Sequence, residues 1–367
     1  MQLRFHQYIV LSPHNSVLRL WESSQRLRPN APFDVNSRGP SPESAIGETL
    51  DRVIIGTAFS STITKSVSRL AMNTERASPR YSSIDVWDAP DILDSIIEGQ
   101  FAAVAAVHGA RPAIASAAIA IADRLRHRGR LVYVGAGTSG RLAVQDGAEL
   151  IPTFGWPEDR LLLLIAGGQG ALLRSAEAVE DNVGQAVQQI EIHNIGAEDA
   201  LVAIAASGTT PFTLACLREA RRRGALTVGI ANNSGTPILN ESHHAICLDT
   251  GSEPIAGSTR LKAGTAQKIT LNALSSLLMI LLGKVYEGLM VDVRVLNEKL
   301  VRRSEEMLVQ LTACSRHEAH DALRRSGGSV KVAALLLHGC ELEEAMELLE
   351  RSAGRLRGAL DIVNNGT

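Results

Sequence analysis

Gly135-Ala136-Gly137-Thr138-Ser139-Gly140 follows a short apolar run, RLVYVG, and opens a helical stretch. A turn in that setting aims backbone N–H groups at an anion, and the helix dipole adds to the attraction. Gly137, Thr138 and Ser139 are the candidate contacts, the last two with hydroxyl donors. The GxGxxG spacing also suits a dinucleotide, but that reading needs an acidic residue near the end of the next strand to hold a ribose. The next strand, Leu161 to Gly168, runs into Ala-Gly-Gly-Gln169 instead. The turn therefore reads as a phosphate cradle. A second hydroxyl-rich turn, Ser207-Gly208-Thr209-Thr210-Pro211, again follows an apolar run and opens a helix, with proline at a first-turn position. A third, Gly257-Ser258-Thr259-Arg260-Leu261-Lys262, adds cations that would balance a phosphate. One such turn could be a plain helix cap. Three together suit the phosphate and hydroxyls of a sugar.

The elements that would carry these turns alternate. Apolar runs at RLVYVG, LLLLIAGG, ALVAIAASG and LTVGIANN are separated by helix-like stretches, among them Leu172–Ile192 and Phe212–Arg223, and a further strand is expected after His243–His244. Strands that are apolar on both faces and alternate with helices form a parallel sheet covered on both sides. The expected fold is α/β, a doubly wound parallel sheet, whose ligands bind beyond the carboxyl ends of the strands. Helical spacing opens this part of the chain at Ile92 and returns from Arg260 to Tyr286 and from Val293 to Leu311. Three short amphipathic helices are expected between Ser315 and Leu360, punctuated by Gly327–Gly328, Gly339 and Gly354. The expected division is an N-terminal extension over 1–71, a sugar-phosphate-binding catalytic domain over 72–312 and a small helical C-terminal appendage over 313–367. The extension is rich in Ser, Arg, Asn and Pro and lacks a sustained period, so it is expected to be poorly ordered. Met72 opens a segment that reads as a natural start.

Composition narrows the function classes. Lys+Arg number 37 against 39 Asp+Glu, for a net charge of −2, so neither nucleic acid nor an anionic membrane surface is an expected partner. No run of about 18 apolar residues suggests a membrane span. The four cysteines, Cys216, Cys247, Cys314 and Cys340, are scattered, which fits reduced thiols in a cytoplasmic protein. The histidine pairs His243–His244 and His317/His320 lack a third ligand at metal spacing, so no metal site is expected.

The blocks GAGTSGRLAVQDGAE (135–149), IAASGTTPF (204–212), GSTRLKAGTAQKITLNALSS (257–276) and LMVDVRVLNEKL (289–300) resemble those of the N-acetylmuramic acid 6-phosphate etherases, members of the SIS (sugar isomerase) superfamily. The resemblance runs from about Met72 to Leu360. It implies a SIS-type, flavodoxin-like sheet and cleavage of the ether between the sugar C3 and D-lactate, giving N-acetylglucosamine 6-phosphate. It also implies a homodimer, neither metal nor nicotinamide cofactor, and a place in peptidoglycan amino-sugar recycling. The relatives of other function are aldose–ketose isomerases of the same superfamily and non-enzymatic regulators similar to the glucokinase regulatory proteins.

The implied chemistry needs two proton-transfer groups. In the ring-opened sugar the C2 proton is acidified by the C1 aldehyde. A base removes it, an acid protonates the departing C3 oxygen, and water then adds at C3. Each such group typically contributes about 10²–10⁴-fold. By the resemblance, Glu149 matches one catalytic glutamate, although Ala-Glu-Leu-Ile-Pro stands where the family commonly has Ser-Glu-Cys-Pro-Pro. Glu180 matches the other, and Glu177 and Asp181 compete with it by position. The candidate substrate contacts are then Gly137, Thr138, Ser139, Ser207, Gly208, Thr209, Thr210, Ser258, Thr259 and Lys262. Asn297-Glu298-Lys299 could border the site or simply pack.

Overall fold

The computed structural model describes residues 72–174, 179–293 and 297–365. The extension 1–71 and Glu177 lie outside the described residues. Two helices, α1 (Ala89–Gly109) and α2 (Arg111–Leu125), lead into β1 (Leu131–Gly135). There follow α3 (Gly137–Phe154), β2 (Leu161–Ile165), α4 (Gly170–Leu173), α5 (Val183–Ile192), β3 (Ala200–Ile204), α6 (Pro211–Arg222), β4 (Leu226–Ala231), α7 (Pro237–Glu241) and β5 (His244–Cys247). The long α8 (Lys262–Leu281) ends this part. The five strands are all parallel, in the order β2-β1-β3-β4-β5. That is the flavodoxin-like order, and its reversal lies between β1 and β3.

Side-chain parity along each strand divides the core in two. Leu131 and Tyr133 of β1, with Val202 and Val228, join α1, α2, α3 and α8 on one face. Val132 and Val134, with Leu201 and Ala203, join α5, α6 and α7 on the other. A third core, from Val291 to Leu360, belongs to α9 (Glu298–Thr312), α10 (Arg316–Arg325), α11 (Val330–Leu337), α12 (Leu342–Arg351) and α13 (Leu356–Asn365). The C-terminal region beyond Ser315 thus holds four helices rather than the expected three. The first is fixed by a capping box in which Ser315 and Glu318 satisfy each other's backbone N–H groups. Among the described residues, no single helix is long and apolar enough to cross a membrane.

Leu172–Ile192, expected as one helix, is interrupted. α4 stops at Leu173, a 3₁₀ turn spans Val179–Asp181, and Asn182 starts α5 afresh by accepting the Gln185 N–H at 2.9 Å. An Asn side chain at this point competes with helix continuation and favours a new cap.

The amino edge of the sheet is tied by Asp199, which precedes β3. Its carboxylate takes a fork from Arg130, with Nη2 at 2.8 Å and Nε at 3.0 Å, and the backbone N–H groups of Gly196 and Arg130 at 3.0 and 3.1 Å. Burial pushes the Asp199 pKa up. The Arg130 fork and the two N–H groups outweigh it and hold the carboxyl below the ordinary aspartate range. A depressed folded-state pKa means the pair stabilises the fold above the ordinary aspartate pKa and loses that contribution as the pH falls below it. Asp199→Ala takes the carboxylate from Arg130, which keeps the His193 and Asn194 carbonyls and some contact with solvent, and is expected to cost about 2–3 kcal/mol at pH 7. Urea denaturation at pH 7 and pH 3 checks this: the gap between wild type and variant should shrink at the lower pH.

Candidate functional site

All three hydroxyl-bearing turns lie at the carboxyl edge of the sheet, and close packing brings them together. After β1, Ala136 caps α3, and Ser139 is buried within its first turn. Gly140 permits this approach: a Cβ there would lie 2.8 Å from Ile165 Cγ1 and 2.9 Å from the Gly135 backbone. After β3, Ser207 Oγ accepts the Thr209 N–H at 3.2 Å and lies 3.4 Å from Thr210 Oγ1. Gly208 between them has φ +70°, and a Cβ on it would sit 2.2 Å from Thr236 Oγ1. A left-handed backbone against a neighbouring side chain admits glycine alone. Pro211 then opens α6.

The third turn, Gly257–Thr259, leads into α8. Thr259 accepts the Gly264 N–H at 2.8 Å, and a Cβ on Gly264 would lie 3.6 Å from Thr138 Cγ2. The first turn therefore packs against the first turn of α8, the helix that the third turn leads into. The second and third are joined through Thr74, which is fully buried. Asn233 Nδ2 donates to Ala206 O and to Thr74 Oγ1, both at 2.9 Å, and its Oδ1 accepts the Thr74 N–H at 3.3 Å. Thr74 O in turn accepts the Gly257 N–H at 3.1 Å. The chain just after Met72 thus straps two of the turns to each other. Asn233 and Thr74 are 159 residues apart in sequence, so no local spacing signals the clasp.

The start of α8 is already satisfied from within the chain. Glu253, fully buried, accepts the Lys262 N–H at 3.2 Å and the Ala263 N–H at 2.9 Å. Burial pushes its carboxyl above the ordinary glutamate range, against the pull of those N–H groups and of Lys262. A glutamate nine residues ahead of the helix it caps is outside the usual capping spacing, and sequence reasoning passed over it. Lys262 is buried, and its side chain lies against α1 and the Gly251 loop. Its Cδ lies 3.8 Å from the position a Cβ would take on Gly99 of α1, and its Nζ 4.0 Å from that on Gly251. Burial pushes its pKa down, Glu253 pushes it back up and Arg80 lowers it further.

The two glutamates stand at different edges. Glu180 is exposed in the 3₁₀ turn that packs on α6, and the following Val183 and Val187 line a groove with Thr209 and Pro211. It is therefore on the side of the Ser207 turn. Glu149 is exposed near the far end of α3, twelve residues beyond Gly137, which places it about 18 Å along the helix axis from the first turn. Its stretch of α3 is anchored by Asp146, one turn earlier. The Asp146 carboxylate accepts from Tyr133 Oη at 2.9 Å, Asn272 Nδ2 at 2.6 Å and Ser275 Oγ at 3.2 Å. Ser139, Ser207, Gly208, Thr209, Thr210, Ser258 and Thr259 gather at one edge of a single chain, and Glu149 does not. Asn297 is the N-cap of α9, where it accepts the Leu300 N–H at 3.0 Å.

Residues 113–221 match the family described as the glucokinase regulatory protein N-terminal SIS domain, and residues 179–277 match the SIS domain. A Deinococcus radiodurans protein named N-acetylmuramic acid 6-phosphate etherase is 47% identical over 288 residues, 78% of this chain and 94% of its own length. A protein of that name from Yersinia pestis is 43% identical over 291 residues, 79% of this chain and 99% of its own. Among solved structures, a phosphoheptose isomerase from Francisella tularensis is 22% identical, covers 53% of this chain and 98% of its own, and has a TM-score of 0.40.

Proposed function

Since the chain belongs to the N-acetylmuramic acid 6-phosphate etherase family, we propose that it breaks the lactyl ether with Glu149 and Glu180 as its proton-transfer groups, while the hydroxyl-bearing turns hold the 6-phosphate. The protein is an etherase acting on a phosphorylated amino sugar. Its products are N-acetylglucosamine 6-phosphate and D-lactate, and its place is the recycling of peptidoglycan amino sugars in the cytoplasm. The observation that carries the reading is the convergence of Ser139, Ser207 and Ser258 at the sheet's carboxyl edge, with the first turn packed on α8 and the other two strapped together through Thr74.

The turns supply N–H and hydroxyl donors for the phosphate, which fixes the sugar's orientation and contributes through positioning. One glutamate removes the C2 proton of the open-chain sugar. The other protonates the C3 oxygen as lactate departs. The unsaturated aldehyde then takes up water at C3, with the same two groups working in the reverse sense.

A monosaccharide with its phosphate arm is shorter than the roughly 18 Å that separates Glu149 from the first turn along α3. This spacing favours a site shared by two chains, in which the turns and Glu180 of one copy meet Glu149 of the other. The exposed face of α1 supplies a surface for such a homodimer. Leu93, Ile97, Phe101 and Val104 form one helical stripe, 57%, 49%, 72% and 53% exposed, while Ser95, Gly99, Ala103 and Val107 are buried on the opposite side. An apolar stripe of that length marks an interaction surface.

Incubation with N-acetylmuramic acid 6-phosphate in D₂O, followed by D-lactate assay and mass spectrometry, tests the reading. The expected result is stoichiometric D-lactate and one carbon-bound deuterium in the N-acetylglucosamine 6-phosphate. Sugar isomers without lactate would assign an isomerase, and binding without turnover a sensor.

A further inference from the structure

We infer that the junction between the sheet domain and the C-terminal helices is a second anion site, for a small phosphate-bearing molecule. A cavity of about 250 Å³ opens there, at the amino edge of the sheet, away from the hydroxyl-bearing turns. Arg126, Arg160, Lys284, Lys331 and Arg355 line it, with Asp292 as the lining carboxylate. Lys284 and Lys331 both bond the same Asp292 oxygen, at 2.8 and 2.7 Å, and Lys331 Nζ also donates to Gly354 O at 2.7 Å. One carboxylate cannot neutralise both ammonium groups.

The guanidinium groups around them are held by carbonyls. Arg160 donates to Gly129 O at 2.9 and 2.8 Å and to Leu125 O at 2.5 Å, and lies 4.7 Å over the Trp156 ring. Arg355 donates to Leu281 O at 3.2 Å. Carbonyl bonds orient a guanidinium but leave its charge in place. Arg126 is paired with Asp123, and Asp159 acts on Arg160 from outside the cavity. Among the described residues, the five cations that line the cavity thus stand against Asp292 within it and Asp123 and Asp159 outside it.

Burial lowers the pKa of Lys331; Asp292 opposes the shift and Lys284 adds to it. Lys331 is nearly buried and Lys284 largely so, while Arg126 and Arg355 reach solvent at the cavity's rim. Uncompensated charge at the two lysines is costly, and a phosphate with its several acceptor oxygens relieves that cost through ammonium and guanidinium donors. The volume is below the usual range for drug-sized ligands, which selects a compact anion. Its contacts would span the end of α8, the loop before α13 and the segments before β1 and β2. The anion would thus clamp the C-terminal helices onto the sheet domain.

The test is calorimetric titration of the full chain with inorganic phosphate at low salt, in a Ser207→Ala background that weakens phosphate binding at the turns. Binding should persist in that background and weaken at least tenfold on adding Lys284→Met or Arg355→Met, with Lys284→Arg restoring it. Lys284→Met keeps the Lys331–Asp292 bond, and its melting temperature without phosphate confirms folding. In hydrogen exchange, phosphate should slow residues 281–284 and 353–355. A parallel titration with N-acetylglucosamine 6-phosphate distinguishes a sugar phosphate, bound more tightly, from free phosphate, bound equally well. Loss of all binding in Ser207→Ala, or binding indifferent to both Lys284→Met and Arg355→Met, would overturn the assignment. Neither outcome touches the etherase reading, which is scored by lactate release alone.

Discussion

Glu149→Ala and Glu180→Ala are each expected to lower D-lactate release by about 10²–10⁴-fold, the usual contribution of one positioned acid or base. Both side chains are exposed, Glu149 on α3 and Glu180 in the turn before α5. Truncation creates no cavity and strands no buried partner, so stability should change by no more than about 0.5 kcal/mol. Loss of turnover with an unchanged melting temperature is therefore the signature. The two variants should also differ from each other. The one lacking the base should fail to exchange the C2 proton with solvent deuterium. The one lacking the acid can still exchange it while the ether stays intact, because C2 deprotonation does not need the leaving group's proton. Substrate recovered after incubation in D₂O and examined by NMR separates them. Either variant retaining near wild-type turnover would remove that residue from the mechanism, and Glu177 or Asp181 would then be examined in place of Glu180.

Much of this frame is legible in the sequence, for a physical reason. Parallel strands buried on both faces must be apolar throughout, so LVYVG, LLLLI and ALVAI stand out without any pattern of alternation. The turns that follow them are equally plain, since Gly208 and Gly140 occupy positions that no side chain could share with Thr236 or the Gly135 backbone. What the sequence conceals is contact between distant segments. The place of β1 between β2 and β3 comes only through the resemblance to a flavodoxin-like sheet, and the pairing register is what displays it. Thr74 reaches Asn233 across most of the domain, and Glu253 caps a helix from outside capping distance. Glu180 shows a different kind of concealment. The apolar spacing from Leu172 to Ile192 is helical, yet the Asn182 cap restarts the helix and leaves Glu180 in a turn, free of the helix register that would otherwise direct it. Glu149 is the reverse case: its helix is as expected, and the length of that helix is what carries it away from the turns of its own chain.

That length leads to the second large effect, which appears only when two inactive proteins are mixed. If each site combines the turns and Glu180 of one copy with Glu149 of its partner, a Glu149→Ala chain paired with a Glu180→Ala chain has one site carrying both lesions and one carrying neither. The mixed dimer then regains about half of wild-type activity, and random exchange of subunits gives about a quarter overall, because about half of the dimers are mixed. Against parents lowered 10²–10⁴-fold, that is a recovery of roughly 25-fold or more. If each chain holds both glutamates of its own site, every site in the mixture carries a lesion and nothing is recovered. Co-expression with two affinity tags, purification of the doubly tagged dimer and a lactate assay decide between these arrangements. Phe101→Glu on the α1 stripe gives an independent check. A charge in the middle of an apolar contact should split the dimer, and under the shared arrangement activity must fall with it, although Phe101 lies on neither the turns nor the glutamate-bearing segments. A monomeric Phe101→Glu protein with full turnover would place the whole site within one chain, and the distance along α3 would then have to be closed by movement of the sugar or of the turns.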